Sequence, residues 1–475
     1  MTKQIITVET RLQNNSELVN YLNISVATYE QVKRKIWQIM TNSKFKETFS
    51  KESEFTKWCR SQFNLHSRTI NSIIHEVKGL MNSYMELKQL ELTNIIQKIE
   101  ILTNRVNKDI EFIEKWKPFV AKNDVTNKEL FNYIKRKKRL YQRQRKLNKL
   151  NQRKLNLDYI IKNKIYKICF GSKKEFKKQH NLIANNYKTH IKWHNDFIKC
   201  RDKNIYFVGA VNETLGNQMI GLNYDKITNT FTLKVRRIEK LNINHTDDKY
   251  IKYYNLIIPY RKEDLLEILN NFNLKNPNVC PLTYRFHKES NKWYLQIIFS
   301  KNINYVNYQT RKQYGVIGLD YNDGFIQLAE TDTSGNLINL IKYTLKYHGT
   351  GNKAKTEIEQ TISSIMKYAI SKGKDVVVEN LNFKKTKAKQ IKSNNTNGKK
   401  YNKMLHAFDY SRYKQTLTNI SKNKKVYVYF VNPKNTSKIG KQKYSNRMKL
   451  TTHQAAAYVV ARRYQGFKDN LKQCI

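Results

Sequence analysis

The chain has 475 residues, with 89 Lys or Arg against 38 Asp or Glu, so its formal net charge at pH 7 is +51. This length exceeds one compact core, and two to four domains are expected. Positive charge spread along the whole chain repels itself unless a polyanion neutralises it, so nucleic acid is the expected partner, with salt-dependent affinity. No run of about eighteen apolar residues occurs, so neither a membrane partner nor a signal peptide is expected.

The cysteines exclude two common kinds of site. There are five, Cys59, Cys169, Cys200, Cys280 and Cys474, and no two of them form a Cys-x-x-Cys pair. This spacing is typical of neither a zinc site nor a disulfide framework. We therefore predict no zinc, and a reducing cytoplasm is the expected location.

The first 200 residues are predicted to be mostly helical. Residues 4–12 alternate between apolar and polar side chains and predict a strand, whose partner must lie far along the chain, after residue 200. The helical pattern then runs from residue 15 to about residue 195. Within it, Thr69–Trp116 predicts either one long helix or a hairpin, with its apolar stripe in the core.

A strongly basic stretch follows. Residues 135–154 contain eleven Lys or Arg and no acid, with leucines at helical spacing. A run of mixed charge is usually a solvated face, but a single sign favours a surface that follows phosphates. The side chains expected against a nucleic-acid backbone are Arg136, Arg143, Arg145, Lys146 and Arg153.

Between residues 204 and 300 the apolar period changes to two, which predicts strands. These strands are expected to form a small β-barrel that the strand near residue 4 completes. The helical residues would then be an insertion into that barrel.

Two acidic residues end predicted core strands in the last third of the chain. Gly315–Asn322 is a short apolar run that carries Asp320 near its end, and Asp375–Glu379 repeats this design. Between them the pattern predicts two more strands and an amphipathic helix, giving the order βββαβ. A lone strand-end acid usually pairs with a lysine. Two such acids on rigid neighbouring strands are instead what a divalent metal needs.

At these acids the sequence resembles a known family. Gly-Leu-Asp320-Tyr-Asn and Val-Val-Glu379-Asn-Leu-Asn-Phe are similar to the first and second RuvC motifs of TnpB-type transposon-encoded RNA-guided nucleases, relatives of the type V CRISPR effectors. Four further segments resemble parts of the same family: Ile168-Cys-Phe-Gly-Ser-Lys-Lys-Glu-Phe, Glu213-Thr-Leu-Gly-Asn-Gln, Leu282-Thr-Tyr-Arg-Phe and Val431-Asn-Pro-Lys-Asn-Thr-Ser.

The resemblance implies a multidomain α+β fold with four parts. These are the first strand of a wedge β-barrel (1–14), a helical recognition lobe (15–200), the rest of the wedge barrel (201–311) and an RNase H-like (RuvC) α/β nuclease domain (312–475). The family's zinc ribbon would be a truncated insertion without zinc, around residues 432–449. Residues 384–403, rich in Lys and Asn, are expected to form a loop.

The third metal ligand departs from the family pattern. The family has an Asp at the start of a closing helix, whereas Leu450–Arg463 carries no carboxylate. His453 is the candidate ligand there, although a His at a helix start is more often a cap or a surface residue. In some RuvC-like nucleases an Asp follows such a His by three residues, and that position here is Ala456. Arg462 and Arg463 are candidate phosphate contacts, or they complement the helix dipole.

The expected activity is RNA-guided, Mg²⁺-dependent hydrolysis of a DNA phosphodiester. Asp320 would bridge two Mg²⁺ ions, Glu379 would hold one of them, and His453 would bind the other or orient the water. The expected partners are a guide RNA and a double-stranded DNA target in a bacterial, nucleoid-associated setting. Two alternatives stay open: a guided DNA-binding regulator that does not cut, and an RNase H-class transposase that acts without RNA.

Overall fold

The computed structural model describes residues 3–14, 16–42, 45–211, 213, 216–239, 249–273, 280–302, 308–322, 324–347, 351–381 and 410–469. The predicted loop at residues 384–403 lies outside these ranges. The fold is mixed α+β. By internal contacts the chain divides into two units, one of Met1–Ile95 with Asn148–Asn302 and one of Ile96–Leu147 with Ile303–Ile475.

Helices dominate the first 200 residues, and most strands follow them. The helices are α1 (Glu17–Met40), α2 (Phe45–Thr48), α3 (Glu52–Phe63), α4 (Ser67–Ala121), α5 (Asn127–Lys162), α6 (Lys173–Lys177), α7 (His190–Arg201), α8 (Lys262–Asn273), α9 (Asn352–Lys372), α10 (Tyr410–Lys424), α11 (Thr436–Gly440) and α12 (Thr452–Gln465). The strands are β1 (Lys3–Arg11), β2 (Asn204–Phe207), β3 (Ile220–Asp225), β4 (Thr230–Arg236), β5 (Tyr250–Leu256), β6 (Thr283–Glu289), β7 (Lys292–Asn302), β8 (Val316–Asn322), β9 (Phe325–Thr331), β10 (Leu337–Thr344), β11 (Asp375–Glu379) and β12 (Val428–Val431).

The first unit contains two sheets. One has the strand order β1-β7-β6-β2, and the other is the meander β3-β4-β5. Strand β1 pairs antiparallel with β7 along its whole length, from Lys3 opposite Asn302 to Arg11 opposite Tyr294. The predicted long-range partner of the N-terminal strand is therefore confirmed.

The predicted barrel is wrong, because the described strands of this unit do not close into one. Asn217 gives a physical reason. Its buried side chain donates hydrogen bonds to the carbonyls of Phe207 and Leu282, at 3.3 and 3.0 Å, and accepts from the amides of Met219 and Ile220. These bonds satisfy backbone groups at the end of β2, just before β6 and at the start of β3, so the chain leaves the first sheet and starts a second one.

The long apolar stripe belongs to a single helix. Of the two alternatives that the sequence left open, α4 is the one-helix form, with 55 residues. Ile70, Ile73, Ile74 and Val77 are buried in the core of the first unit, as their helical spacing predicts, whereas Ile96 farther along the stripe is 45% exposed. Among the described helices, none combines the length and apolar composition needed to cross a membrane.

The second unit is built around a five-stranded sheet with the order β10-β9-β8-β11-β12. Strand β9 runs antiparallel to β8 and β10, and β11 runs parallel to β8 and β12. The predicted sequence of three strands, a helix and a strand is confirmed. Helices α9 and α10 pack on one face of this sheet, around the buried side chains Ile317, Leu319, Val376 and Val378.

Helix α12 packs on the opposite face. Val316 and Val377 of the sheet contact Val460 and Ala461 of the helix. A Cβ atom at Gly318 would lie 2.2 Å from the Ala457 carbonyl oxygen. Only glycine allows the helix to approach the strand this closely, and this approach brings the start of α12 to the end of β8.

Candidate active site

Asp320 is a buried carboxylate on the central strand β8, with 7% of its surface exposed. Side chains alternate between the two faces of a strand, so Asp320 faces away from the Leu319 core and toward α12. Its Oδ2 atom accepts a hydrogen bond of 2.8 Å from the Asn322 amide and lies 3.1 Å from His453 Nδ1. Asp320 therefore has polar partners but no Lys or Arg ion pair among the described residues.

Glu379 ends the neighbouring parallel strand, β11. The last paired residues before the two acids are Val378 and Leu319, which lie directly opposite each other. Parallel neighbours in register point to the same face, about 5 Å apart in the hydrogen-bonding direction. The sheet therefore brings Asp320 and Glu379 together, as the sequence predicted.

A second set of contacts fixes Glu379. The Thr436 hydroxyl, at the start of α11, donates a hydrogen bond to Glu379 Oε1. The Tyr410 hydroxyl donates to the backbone carbonyl of Glu379 and accepts from the Leu381 amide at 3.1 Å. Side chain and backbone of Glu379 are thus held from two different helices.

The charge on Glu379 is poorly compensated. The pKa of its carboxyl is raised to about 7, chiefly by burial and also by the neighbouring Asp320 carboxylate, while the Thr436 hydrogen bond and the Arg463 guanidinium act to lower it. A cation between the two acids would favour their charged forms.

His453 completes the cluster from the first turn of α12. The helix begins with a capping box, in which the Thr451 hydroxyl accepts from the Gln454 amide at 3.3 Å. The hydrogen bond to Asp320 raises the pKa of the His453 imidazole, while burial and Lys342 lower it. The ring also packs edge-on against Phe325, with 5.1 Å between centroids. His453 therefore lies at the acids and is not the cap of its helix.

The side chains present fit a divalent cation in part. Mg²⁺ in proteins is usually held by one or two carboxylates and several waters, and Asp320 and Glu379 supply two carboxylates on one face. Within the described ranges, no three His, Cys, Asp or Glu side chains are arranged as a metal cluster. His453 instead contacts Asp320, and Thr436 contacts Glu379.

Arg462 and Arg463 have partners inside the protein. Arg462 contacts the Asp469 carboxylate at 3.0 Å and the Gly335 carbonyl at 2.9 Å. Arg463 donates to the carbonyls of Asn432 and, at 3.0 Å, Lys434. Arg463 thereby holds the loop that leads to Thr436, and so acts on Glu379 through that loop as well as through its charge.

The basic residues of α5 divide into two groups. Arg136 and Arg143 lie against Asp109 of α4, and Arg153 pairs with Glu91 of the same helix. Arg145 and Lys146 are exposed, and neither has an ion pair among the described residues. The sequence did not indicate these acidic partners.

Sequence reasoning also missed Asn322, Thr436 and Tyr410. Asn322 and Thr436 lie inside the motifs quoted for the family resemblance, so the signal for them was present but not assigned a role. Neither the protein-family models nor the curated proteins compared with this chain include one that matches it.

Proposed function

We propose that the protein is an RNA-guided DNA endonuclease with a single RuvC-like site, of the TnpB type that transposons encode. The observation that carries the proposal is the meeting of Asp320, Glu379 and His453. The two acids come from neighbouring parallel strands with Val378 opposite Leu319, and His453 Nδ1 lies 3.1 Å from Asp320 Oδ2. Chain segments more than fifty residues apart thus supply a carboxylate pair and an imidazole at one edge of a sheet.

The element order gives further support. Three antiparallel strands, a helix and a parallel strand precede the second acid, as expected of an RNase H-like domain. Residues 432–449 contain no cysteine, so we propose Mg²⁺ and not zinc as the cofactor. The expected partners are a guide RNA and duplex DNA, and the net charge of +51 suits both. A DNA target implies that the reaction occurs in the bacterial cytoplasm, at the nucleoid.

The roles of the side chains follow from their contacts. Asp320 and Glu379 would hold Mg²⁺, which when bound polarises the phosphate and lowers the pKa of a bound water. Asn322 and Thr436 fix one oxygen of each carboxylate. With a proton on Nδ1 shared with Asp320, His453 keeps Nε2 as the atom that accepts the proton of an attacking water.

A guided binder that does not cut is the second candidate. The position that carries an Asp in some relatives is Ala456, which is fully buried on α12. The described residues also contain no three-ligand metal cluster. A guided binder of this kind would bind its DNA target without Mg²⁺ and would leave the target uncut.

The deciding experiment is to purify the protein with the RNA that accompanies it and to incubate it with a plasmid library carrying the matching target. We expect RNA-dependent cutting in Mg²⁺ and none in EDTA. Target binding without a cut product in Mg²⁺ would favour the guided binder. Cutting that persists after the RNA is removed would favour the transposase alternative.

A further inference from the structure

Helices α4 and α5 enclose one carboxylate among three arginines. Asp109 of α4 is only 2% exposed. Arg136 and Arg139 of α5 reach its Oδ1 atom at 3.7 and 3.2 Å, and Arg143 contacts its Oδ2 atom. Arg143 also donates to the Arg105 carbonyl at 3.2 Å. Asp109 therefore gathers three guanidinium groups around one carboxylate.

This cluster carries more positive charge than a structural ion pair needs. One arginine suffices to compensate a buried carboxylate, whereas here three meet one acid and leave two positive charges in excess. Arg136 and Arg139 are 36% and 41% exposed, so water screens part of their repulsion, and an anion at this surface would compensate the rest. The cluster therefore leaves positive charge available to an anionic ligand.

Some of these basic side chains line a pocket. A pocket of about 290 Å³ is formed by Phe112, Asn132, Lys135, Arg136 and Arg139. No carboxylate is among these side chains. This volume lies at the small end of ligand sites, so the pocket suits one small anionic group.

One contact in the pocket favours an oxyanion. Arg136 lies over the Phe112 ring, 4.0 Å from its centroid, which fixes the plane of the guanidinium. A phosphate in the pocket would meet the guanidinium groups of Arg136 and Arg139, whose side chains are 36% and 41% exposed.

We propose that this pocket binds one phosphodiester phosphate of a nucleic-acid strand, with Asp109 as the positioning residue that presents the arginines. The inference takes its nucleic-acid ligand from the proposed function and adds a specific contact point on α4 and α5. Simple charge attraction predicts the opposite role for Asp109, because its negative charge alone would oppose the binding of a phosphate.

Lysine variants test the pocket against net charge. Lys135→Gln removes a pocket cation, and Lys128→Gln removes an exposed cation two turns earlier on the same helix, outside the pocket. Binding is measured in EDTA by fluorescence anisotropy on a 30-nucleotide single strand, as a function of salt. We expect Lys135→Gln to weaken binding several-fold and to reduce the salt slope by about one. Lys128→Gln should leave both nearly unchanged, and equal effects of the two variants would overturn the proposal.

Two further variants separate orientation from charge. Arg139→Lys keeps the charge but loses the planar fork, and we expect it to weaken binding several-fold with its thermal melting unchanged. Asp109→Asn raises the net charge by one, so attraction alone predicts tighter binding. The proposal predicts weaker binding. Tighter binding by Asp109→Asn together with unchanged binding by Arg139→Lys would contradict it.

RNA and DNA strands of the same sequence form the two arms of the measurement. A Lys135→Gln effect on either strand supports the phosphate site and identifies the polymer, and an effect on neither overturns it. Because cutting is not measured, a failure of the nuclease proposal would leave these results interpretable.

Discussion

The Nδ1 atom of His453 lies 3.1 Å from Oδ2 of Asp320, although 133 residues separate them in the chain. The contact depends on Gly318, which lets α12 approach β8 without a Cβ atom between them. The imidazole thereby reaches an acid that has no cationic side chain of its own in the described ranges. This pair, with Glu379 beside it, is the chemical centre of the proposed function.

The close approach at Gly318 gives a prediction for stability. A methyl group there would overlap the Ala457 carbonyl, so Gly318→Ala should destabilise the second unit by about 1–3 kcal/mol. Gly79 of α4 has no heavy atom within 4 Å of an added Cβ. Gly79→Ala should therefore raise stability, since alanine favours helices by about 1 kcal/mol. Urea unfolding curves measure both, and two changes of the same sign would contradict this account of the packing.

Thr436 should control the orientation of Glu379. Thr436→Val keeps the shape but removes the hydroxyl donor, which raises the pKa of Glu379 further. Loss of such a supporting contact typically costs about 10–100-fold in metal affinity or activity. Thr436→Ser retains the donor and should keep most of the activity in a Mg²⁺-dependent cleavage assay. Equal activity of the Val and Ser variants would exclude this role.

Without Mg²⁺, the neighbouring carboxylates of Asp320 and Glu379 should lower the stability of the folded protein. The pKa of Glu379 is raised from 4.5 to about 7, so its contribution to stability is lost as pH rises from about 4.5 to 7, and above pH 7 the full penalty of the buried charge is present. In EDTA at pH 8, Glu379→Gln should therefore melt at a higher temperature than the wild type. Mg²⁺ should raise the melting temperature of the wild type but not that of Glu379→Gln. The control Glu359→Gln changes a half-exposed acid of α9 and should behave as the wild type under both conditions.

His66 predicts a pH dependence in the first unit. Burial, with Arg236, Arg60 and Arg68 nearby, lowers the pKa of this imidazole to about 4. Below about pH 6.5 the His66 imidazole binds a proton in the unfolded chain but not in the folded chain. The free energy of unfolding therefore decreases as pH falls from 6.5 toward 4. His66→Asn should flatten this loss, and it keeps an acceptor for the Arg68 amide. If the free energy of unfolding changes by the same amount between pH 7.5 and pH 5 in both proteins, the assignment is contradicted.

The sequence predicted the second unit well, because its signals are local. Strand β11 and the buried face of α9, with Ile358, Ile362 and Ile365, follow from short apolar patterns. The acids at the strand ends follow from the same patterns, and only the parallel pairing of β8 with β11 was needed to join them. His453 followed from its place at the start of the closing helix.

The errors concern pairings between distant residues. Nothing local to Asn217 indicates that it bonds to both Phe207 and Leu282, and this corner separates two sheets where a barrel was predicted. Similarly, the period of α5 places Arg136 and Arg143 on a helix surface but does not show that Asp109 lies opposite them. The partner of a charged side chain depends on tertiary packing, which one sequence does not display.

The most direct test of the central claim is the Asp320→Ala variant, purified with its RNA and compared with Glu359→Gln on the same DNA target. Cleavage and target binding are measured in parallel in Mg²⁺. Asp320 touches His453 and shares a face with Glu379, so its loss should abolish cutting, while target binding stays within about twofold of the control because base pairing and backbone contacts supply it. If the Asp320→Ala protein still cuts the target, Asp320, Glu379 and His453 are not the catalytic centre.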